Sequence, residues 1–404
     1  MVTIQDIQTI LTAPSDMNLV VVKVVTSEPG LYGLGCATFT QRYLAVQAAI
    51  DGHLKPLVIG RDVARIEELF QLMMVHGYWR NGPVLNNAIA GIDIALWDIK
   101  AKRAGMPLYE LLGGKCREAA AVYRHADGRD EKQIEDNVRR FVEQGVRHVR
   151  IQVSGYGGAD LDEAHDATRH RPDGAMDGAY FDRRTYTRST LAALSHVRTA
   201  VGDGVELLHD VHERLTPAQA VEFARETEPL RLFFLEDLLA PEDMSWFANV
   251  RSVCATPLAM GELFNHPREW TPLITGRFID FMRMHITMMG GLTPARKVAA
   301  LGELHGVHTA WHGPGDVSPV GHALNLHLDL ALPNFGIQEY CGFDDRMRDV
   351  FEGMPQLRQG YLYPNDHPGL GIDIDEAQAA KYPCRPRVDT WTEARVPDGS
   401  LVRP

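Results

Sequence analysis

The sequence lacks several features that mark common classes of protein. Its five cysteines are odd in number, scattered, and never form a Cys-x-x-Cys pair. This pattern argues against a disulfide framework or a zinc–thiolate site and favours a reducing, cytoplasmic compartment. No apolar run approaches the roughly 20 residues needed to cross a bilayer. No basic segment followed by an apolar stretch begins the sequence, so neither a secretory signal nor a membrane partner is expected.

An excess of positive charge and a nucleotide-binding fingerprint are also missing. The formal net charge is −12, which argues against a nucleic-acid groove or an anionic membrane surface as partner. A small anionic substrate stays compatible, because a bound cation and local arginines can reverse the field inside a pocket. The pair Gly33 and Gly35 has no third glycine at dinucleotide-binding spacing, so a turn is expected there.

Three acidic residues stand out among what is present. Asp210, Glu236 and Glu262 follow one another at equal intervals, and each lies in or directly after a short apolar run. The interval of about 25 residues is the length of one strand–helix unit in a parallel β/α barrel. Successive strands would then bring one carboxylate each to the same end of the barrel. Because like charges repel unless a cation lies between them, the spacing predicts a hard divalent metal, most simply Mg²⁺.

The order of patterns along the chain predicts two domains and a C-terminal segment. Residues 1–119 carry the strand and helix patterns of an α+β domain. Residues 120–374 alternate short apolar strands with helical patterns, as in an eight-stranded β/α barrel. The Pro-rich residues 375–404 are expected to pack back on the N-terminal domain. The predicted barrel strands are 120–125, 148–153, 205–212, 232–236, 258–263, 278–285, 307–312 and 335–340.

Polar side chains at the predicted strand ends surround the three carboxylates. Because strand side chains alternate, Asp210 and His212 are expected to point the same way, beside the metal. Arg150 and Gln152 form a similar pair one strand earlier, and the long connection 154–184 is expected to form a lid. The later strands end in Arg283, His312 and Glu339. A metal with such neighbours suits abstraction of the proton α to a carboxylate, followed by loss of a β-hydroxyl.

Each of these residues also has a structural interpretation. A single strand-end carboxylate is more often a helix cap or an ion-pair partner, and Arg150 could simply form a barrel salt bridge. The equal spacing of three carboxylates favours the metal over those interpretations. The histidines interpreted as structural or surface residues are His285, His305, His308, His322 and His327.

The chain resembles the enolase superfamily, and within it the mannonate dehydratase group, also called the D-galactonate dehydratase or starvation-sensing-protein-like family. The segments that carry the resemblance are Ile92–Lys100, Leu111–Gly114, Tyr123–Ala126, Leu208–His212, Leu235–Asp237, Gly261–Asn265, His312–Pro319 and Asn334–Tyr340. The resemblance implies an α+β capping domain, a modified (β/α)7β barrel, and assembly as a homo-oligomer. It also implies Mg²⁺ on Asp210, Glu236 and Glu262.

The same resemblance implies roles for further residues. His212 would be the general acid or acid/base. The residues implied to contact a sugar acid are His125, Glu262, Arg283, His312, Asp316 and Glu339.

Two positions depart from the family pattern. The family's proton-abstracting base is a lid tyrosine beside a second-strand arginine, which is present here as Arg150. Twelve residues past it stands Asp162, so Tyr156 is the nearest candidate for the base. Active members have an asparagine in the capping loop, where this chain offers Thr40 or Gln41, and Gln41 is the predicted substrate contact. The Lys-x-Lys pair of the superfamily's racemases is absent.

These observations predict a Mg²⁺-dependent hydro-lyase that converts a D-mannonate- or D-gluconate-type acid into a 2-keto-3-deoxy sugar acid. Turnover of mannonate is expected to be low or absent because the lid tyrosine motif is altered. One alternative is a racemase or epimerase of a hydroxy acid, against which the missing lysine counts. Another is a catalytically weak regulatory protein that binds a metal and a metabolite. The expected partners are a small sugar acid and further copies of the chain.

Overall fold

The computed structural model describes residues 1–153 and 172–404. The strands are β1 (Ile4–Thr12), β2 (Leu19–Thr26), β3 (Tyr32–Cys36), β4 (Ala120–Gly128), β5 (His148–Val153), β6 (Ala179–Tyr180), β7 (Glu206–Asp210), β8 (Phe234–Glu236), β9 (Leu258–Met260), β10 (Phe281–Met282), β11 (His308–Thr309), β12 (Gln338–Glu339), β13 (Phe351–Glu352), β14 (Gln356–Arg358), β15 (Tyr361–Tyr363), β16 (Asp373–Ile374) and β17 (Ala394–Arg395).

The helices alternate with these strands. They are α1 (Tyr43–Ala49), α2 (Lys55–Val58), α3 (Ile66–Val75), α4 (Pro83–Ala104), α5 (Leu108–Leu111), α6 (Glu131–Glu143), α7 (Arg183–Val201), α8 (Pro217–Thr227), α9 (Phe247–Arg251), α10 (Pro267–Thr275), α11 (Leu292–His305), α12 (Pro319–Ala331), α13 (Asp345–Val350) and α14 (Glu376–Ala379). None of those in the described ranges has the length and apolar content of a membrane-spanning segment.

The chain divides into two compact units. Unit 1 contains Met1–Ala121, Gly261–Thr275 and Met282–Pro386, and unit 2 contains Val122–Met260, Gly276–Phe281 and Arg387–Pro404. These boundaries differ from the predicted domains, because the later strands of the 120–374 region group with the N-terminal residues.

The centre of the N-terminal part of unit 1 is helix α4. Strands β1, β2 and β3 form an antiparallel sheet in sequence order, and α4 is buried along most of its length. A Cβ atom on Gly35 would lie 1.9 Å from the main-chain oxygen of Gly91. The glycines therefore allow a closer approach of β3 to α4 than side chains would permit.

Helix α4 also packs against the later part of unit 1. The indole N–H of Trp97 donates to Thr293 Oγ1 at 3.0 Å, and Asp93 Oδ2 accepts from the Thr293 N–H at 2.9 Å. The backbone N–H of Tyr109 donates to His327 Nδ1 at 3.1 Å. These buried contacts explain why residues after β10 cluster with residues 1–121.

Unit 2 contains a parallel sheet. Strands β4, β5, β7, β8 and β9 are paired in that order. The predicted strand 148–153 has the same bounds in the structure. The predicted strand 205–212 ends earlier, at Asp210. Helix α8 follows β7 and begins after Thr216, which forms a capping box with Gln219.

The C-terminal residues are shared between the two units. Thr12 Oγ1 donates to the Ala379 main-chain oxygen at 2.9 Å, so part of the predicted segment does pack on the N-terminal residues. Residues 387–404 instead belong to unit 2, where β17 pairs in parallel with β6. The predicted packing of residues 375–404 on the N-terminal domain therefore has support in its first half and stays a prediction for its second half. The pairing of β17 with β6 is a long-range contact that composition does not reveal.

Candidate active site

Buried carboxylates converge at the ends of two neighbouring strands in unit 2. Asp210 ends β7, Glu236 ends β8, and the parallel register sets these two residues side by side. Asp237 follows directly. Ligand oxygens of Asp210, Glu236 and Asp237, which we call the carboxylate cluster, lie within 4.8 Å of one another, and all three residues are buried.

The chemistry of the carboxylate cluster fits a hard divalent cation. Three buried carboxylates offer oxygen ligands only, which is the donor set that Mg²⁺ prefers. Their mutual repulsion in a buried place calls for positive charge between them. Sequence spacing predicted Asp210 and Glu236 as ligands and did not include Asp237. The adjacency of Asp237 to Glu236 was the available signal.

The side chain of Arg150 places a positive charge next to the carboxylate cluster. Arg150 is 3% exposed and its Nη1 donates to Asp210 Oδ2 at 3.0 Å. Its Nη2 lies 3.1 Å from His125 Nδ1. Because a guanidinium can only donate, His125 Nδ1 accepts, and the ring carries its proton on Nε2. Arg150 thus connects two of the predicted site residues.

The other side of β7 is fixed by a buried tyrosine–histidine pair. His209 Nδ1 donates to the Ile151 main-chain oxygen at 2.8 Å, so its Nε2 accepts from the Tyr186 hydroxyl at 2.7 Å. Burial lowers the pKa of His209 to about 4, which keeps the ring neutral at pH 7. These bonds hold the strand that carries Asp210 against β5.

His212 lies just beyond the end of β7. Its φ is 52°, and that of Glu213 is 60°, so strand alternation does not determine where its side chain points, contrary to the prediction. Instead the His212 N–H donates to Asp210 Oδ1 at 2.8 Å. Two successive non-glycine residues in the left-handed region are uncommon and typical of functional sites.

Gln152 lies on the same face of β5 as Arg150, as strand alternation predicts. It is 2% exposed. Neither its amide nitrogen nor its amide oxygen has a hydrogen-bond partner in the part of the chain that the structure describes. A buried amide in that state raises the free energy of the folded protein.

A second charged group lies in unit 1. We call it the arginine cluster, and it consists of Glu262, Arg283, His285, His312, Asp316 and Glu339. Arg283 is 0% exposed. Its Nη1 donates to Glu339 Oε2 at 2.5 Å, and its Nη2 donates to Glu262 Oε2 at 3.0 Å. The backbone N–H of Gly313 also donates to Glu339 Oε2, at 2.7 Å.

His312 is a cation within this cluster. Its Nδ1 lies 3.1 Å from Glu262 Oε2, and its Nε2 lies 3.2 Å from Asp316 Oδ1. Burial alone would lower the pKa of His312, but the charges of Asp316 and Glu262 outweigh it and raise the pKa to about 10. Arg283 Nη2 also lies 3.0 Å from Nδ1. A protonated ring has no acceptor, so both ring N–H groups donate to the carboxylates.

His285 joins the arginine cluster, although sequence analysis interpreted it as structural. Its ring stacks on that of His312 with centroids 4.7 Å apart. Burial and the neighbouring His312 cation lower the pKa of His285 to about 3. The Thr287 N–H donates to its Nδ1 at 3.3 Å, so the neutral ring carries its proton on Nε2. Its place two residues after Arg283 was the signal in the sequence.

One predicted residue, Gln41, is not a member of either cluster. Gln41 lies half-buried in the short 3-10 helix Thr40–Arg42. Within the described residues of unit 1, no hydrogen bond joins its side chain to the arginine cluster. Tyr156 lies outside the described residues, as do Asp162 and most of the predicted lid.

Comparison with known proteins identifies the family. The family described as "Enolase C-terminal domain-like" matches residues 133–378, and the "Mandelate racemase / muconate lactonizing enzyme, N-terminal domain" matches residues 1–113. The D-galactonate dehydratase family member RspA of Pantoea ananatis is 54% identical over 99% of this chain and 99% of its own length. The chain belongs to the D-galactonate dehydratase family of the enolase superfamily. Another member, SEN1436 of Salmonella enteritidis, is 52% identical over 99% of this chain and 98% of its own length.

Solved structures agree with the family assignment. An enolase from Pantoea ananatis, crystallised with bound D-gluconate and Mg, matches with a TM-score of 0.97 and 53% identity over 100% of both chains. A member of the enolase superfamily from Salmonella Typhimurium, 24% identical with a TM-score of 0.83 over 95% of this chain and 99% of its own, shares the fold. The predicted enolase-like fold, with an N-terminal cap domain and an α/β barrel-type C-terminal domain, is confirmed. The predicted hydro-lyase class is confirmed at the level of the family.

Proposed function

We propose that this dehydratase family member is a Mg²⁺-dependent enzyme that removes water from a hexonate such as D-gluconate or D-mannonate. The observation that carries the proposal is the buried carboxylate cluster of Asp210, Glu236 and Asp237. Support comes from the relative from Pantoea ananatis that binds D-gluconate and Mg.

The metal ligands follow from the carboxylates. Asp210 and Glu236 would hold Mg²⁺, and Glu262 stays the predicted third ligand on the strength of sequence spacing and family resemblance. Asp237 is a further carboxylate within reach of the first two. When bound there, Mg²⁺ would polarise the substrate carboxylate, which would make the α-proton more acidic.

The arginine cluster has, by itself, the chemistry that a sugar acid needs. Arg283 offers N–H donors, and Asp316 and Glu339 offer acceptors for hydroxyl groups. The two N–H groups of protonated His312 bond to Glu262 and Asp316 and hold those carboxylates in place, so His312 stays a predicted substrate contact. A polyhydroxy acid carries hydroxyl groups, which donate and accept hydrogen bonds, and a carboxylate, which accepts them. A cluster of cations and carboxylates therefore matches such an acid better than it matches an apolar ligand. Gln41 and His125 stay predicted substrate contacts.

Two proton transfers are needed for dehydration. A base removes the α-proton, the C–O bond of the β-hydroxyl breaks, and an acid protonates the departing oxygen to give water. His212 would be the acid, acting through Nε2, because its Nδ1 lies 3.2 Å from a main-chain oxygen and donates to it. Arg150 does not lose its proton in proteins, so the proposed base is Tyr156, whose pKa a nearby guanidinium would lower. The enol product then tautomerises to a 2-keto-3-deoxy acid.

The test is a product assay with a panel of hexonates. Purified protein with Mg²⁺ is incubated with D-gluconate, D-mannonate and D-galactonate, and 2-keto-3-deoxy products are measured. We expect turnover of at least one hexonate, low turnover of D-mannonate, and loss of turnover in Asp210→Asn and His212→Asn. The control is Asp203→Asn, which removes a surface carboxylate bonded to Arg231.

Other outcomes would favour the alternatives. Solvent deuterium entering the α-carbon without elimination would indicate an epimerase or racemase. Tight binding of a hexonate without any product would indicate a regulatory binding protein. Brisk turnover of D-mannonate would contradict the displaced-tyrosine argument. A cytoplasmic homo-oligomer stays a prediction, which light scattering of the purified protein tests for assembly.

A further inference from the structure

The C-terminal segment, residues 387–404, contacts the side chain of His212 within unit 2. His212 Nδ1 lies 3.2 Å from the main-chain oxygen of Pro404. The ring of Trp391 meets the imidazole edge to face, with centroids 6.1 Å apart and planes at 72°. These two contacts with the ring of His212 come from residues about 180 to 190 positions away in sequence.

The backbone of His212 is held by other residues. Its N–H donates to Asp210 Oδ1, and the Glu213 N–H donates to the Asp237 main-chain oxygen at 2.8 Å. These bonds determine where the Cα atom of His212 lies. They do not determine the rotation of the imidazole about its side-chain bonds, which depends on what the ring touches.

The segment itself is anchored next to each of its two contacts with His212. Arg403 donates from Nη1 to Glu242 Oε2 and from Nη2 to Asp243 Oδ2, each at 3.0 Å. Nearer to Trp391, the Ala179 N–H donates to the main-chain oxygen of Glu393 at 3.0 Å. β17 continues this pairing with β6. A surface tail held only by solvent would have no such set of bonds.

We propose that the C-terminal segment, residues 387–404, belongs to the active site, where Pro404 and Trp391 position the imidazole of His212. The inference rests on the proposed role of His212 as the acid of the reaction. The Pro404 oxygen accepts a hydrogen bond from the Nδ1–H group, which selects one tautomer and directs Nε2 to the substrate. Trp391 limits rotation of the ring and covers it. Both are positioning residues, and neither is expected to bind Mg²⁺.

The first experiment needs no substrate. Diethyl pyrocarbonate modifies accessible imidazoles, and peptide mass spectrometry gives the rate at His212, with exposed His53 as the internal reference. We expect Arg403→Gln and Trp391→Ala to raise the rate at His212 severalfold and to leave His53 unchanged. Trp391→Phe, which keeps an aromatic ring, should restore most of the protection.

A matched control separates this effect from general loosening. Arg231→Gln removes another surface arginine that makes two bonds to one carboxylate partner, Asp203, at 2.9 Å each. It should leave the modification rate of His212 unchanged. Equal rates at His212 in wild type, Arg403→Gln and Trp391→Ala would overturn the proposal.

The second experiment measures turnover of the hexonate that the wild type converts. Arg403→Gln and Trp391→Ala should lower kcat on the order of tenfold to a hundredfold, as small misplacements of catalytic groups do, with KM and Mg²⁺ affinity unchanged. A rise in KM at constant kcat would overturn the positioning role. So would a loss of kcat of equal size in Arg231→Gln. If the wild type converts no hexonate, the proposed function fails, and the modification rates still decide whether the segment covers His212.

Discussion

At the scale of single residues, the buried charges of this protein occur in compensated groups. Arg283 bonds to Glu339 and Glu262, and Arg150 bonds to Asp210. An isolated buried charge costs far more than a paired one. Gln152 and Asp93 are buried polar groups whose loss of hydration is not fully offset by hydrogen bonds or ion pairs. Each therefore leads to a prediction about stability.

Gln152→Met tests the cost of a buried amide. Methionine has a similar length and no hydrogen-bonding demand, so the variant should raise the stability of the ligand-free protein by about 1–3 kcal/mol, the usual penalty of unsatisfied polar atoms. The measurement is the thermal unfolding midpoint by calorimetry. Gln152→Glu is the control and should lower the midpoint, because it buries a charge. A lower midpoint for Gln152→Met would show that the amide has partners in solution.

Asp93 predicts a pH dependence of stability. Burial raises its pKa to about 7, against the hydrogen bonds from Thr293 and Leu292 that lower it. Because the pKa of Asp93 is higher in the folded than in the unfolded protein, the folded state is favoured at low pH, where the carboxyl group is protonated. This contribution to stability is lost as the pH rises through about 7.

Asp93→Asn removes this titration. Between about pH 4 and pH 7 the free energy of unfolding of the wild type should fall relative to that of Asp93→Asn, by on the order of 3–4 kcal/mol. Above about pH 7 the difference between the two proteins should stay constant. Unfolding midpoints across this range, corrected with the surface variant Asp203→Asn, make the measurement. A difference that does not depend on pH would contradict the raised pKa.

At the scale of elements, close backbone packing determines the position of α4. Gly35→Ala would place a methyl group 1.9 Å from the Gly91 oxygen, so β3 or α4 must shift. We expect a loss of about 1–3 kcal/mol or more, the usual cost of overpacking, seen as a lower unfolding midpoint. Gly52→Ala is the matched control, because nothing lies within 4 Å of its Cβ. It should be neutral or stabilising by about 0.5–1 kcal/mol, and equal losses in both variants would argue against the close contact.

Short strands bring the carboxylates of unit 2 together. β7 and β8 end at Asp210 and Glu236, and the chain leaves the strand conformation directly afterwards, as the positive φ values of His212 and Asp237 indicate. Sequence patterns located these strands, because apolar runs bounded by polar residues are a local signal. The predicted strand 205–212 was too long at its C-terminal end. The apolar pattern does not show where a residue with positive φ ends a strand.

At the scale of the whole molecule, ligands that bind the folded state must stabilise it. Mg²⁺ at 100 times its dissociation constant adds about 2.7 kcal/mol. We expect D-gluconate to raise the unfolding midpoint in Mg²⁺ and to have a much smaller effect after chelation. Asp210→Asn should remove the response to Mg²⁺. An equal shift by D-gluconate with and without Mg²⁺ would contradict a metal-dependent site.

The sequence by itself determined the fold family, the strand-borne carboxylates and the arginine cluster except for His285. These features depend on local periodicity and on short motifs at fixed positions. The tertiary structure decided that Asp237 and His285, for which position next to a predicted residue was the sequence signal, join the charged clusters, and it alone brought residues 387–404 onto His212. The reason is that contacts between distant positions leave no periodic trace in the sequence. They arise from which surfaces the folded chain brings together and from the conformations of a few residues that end a strand.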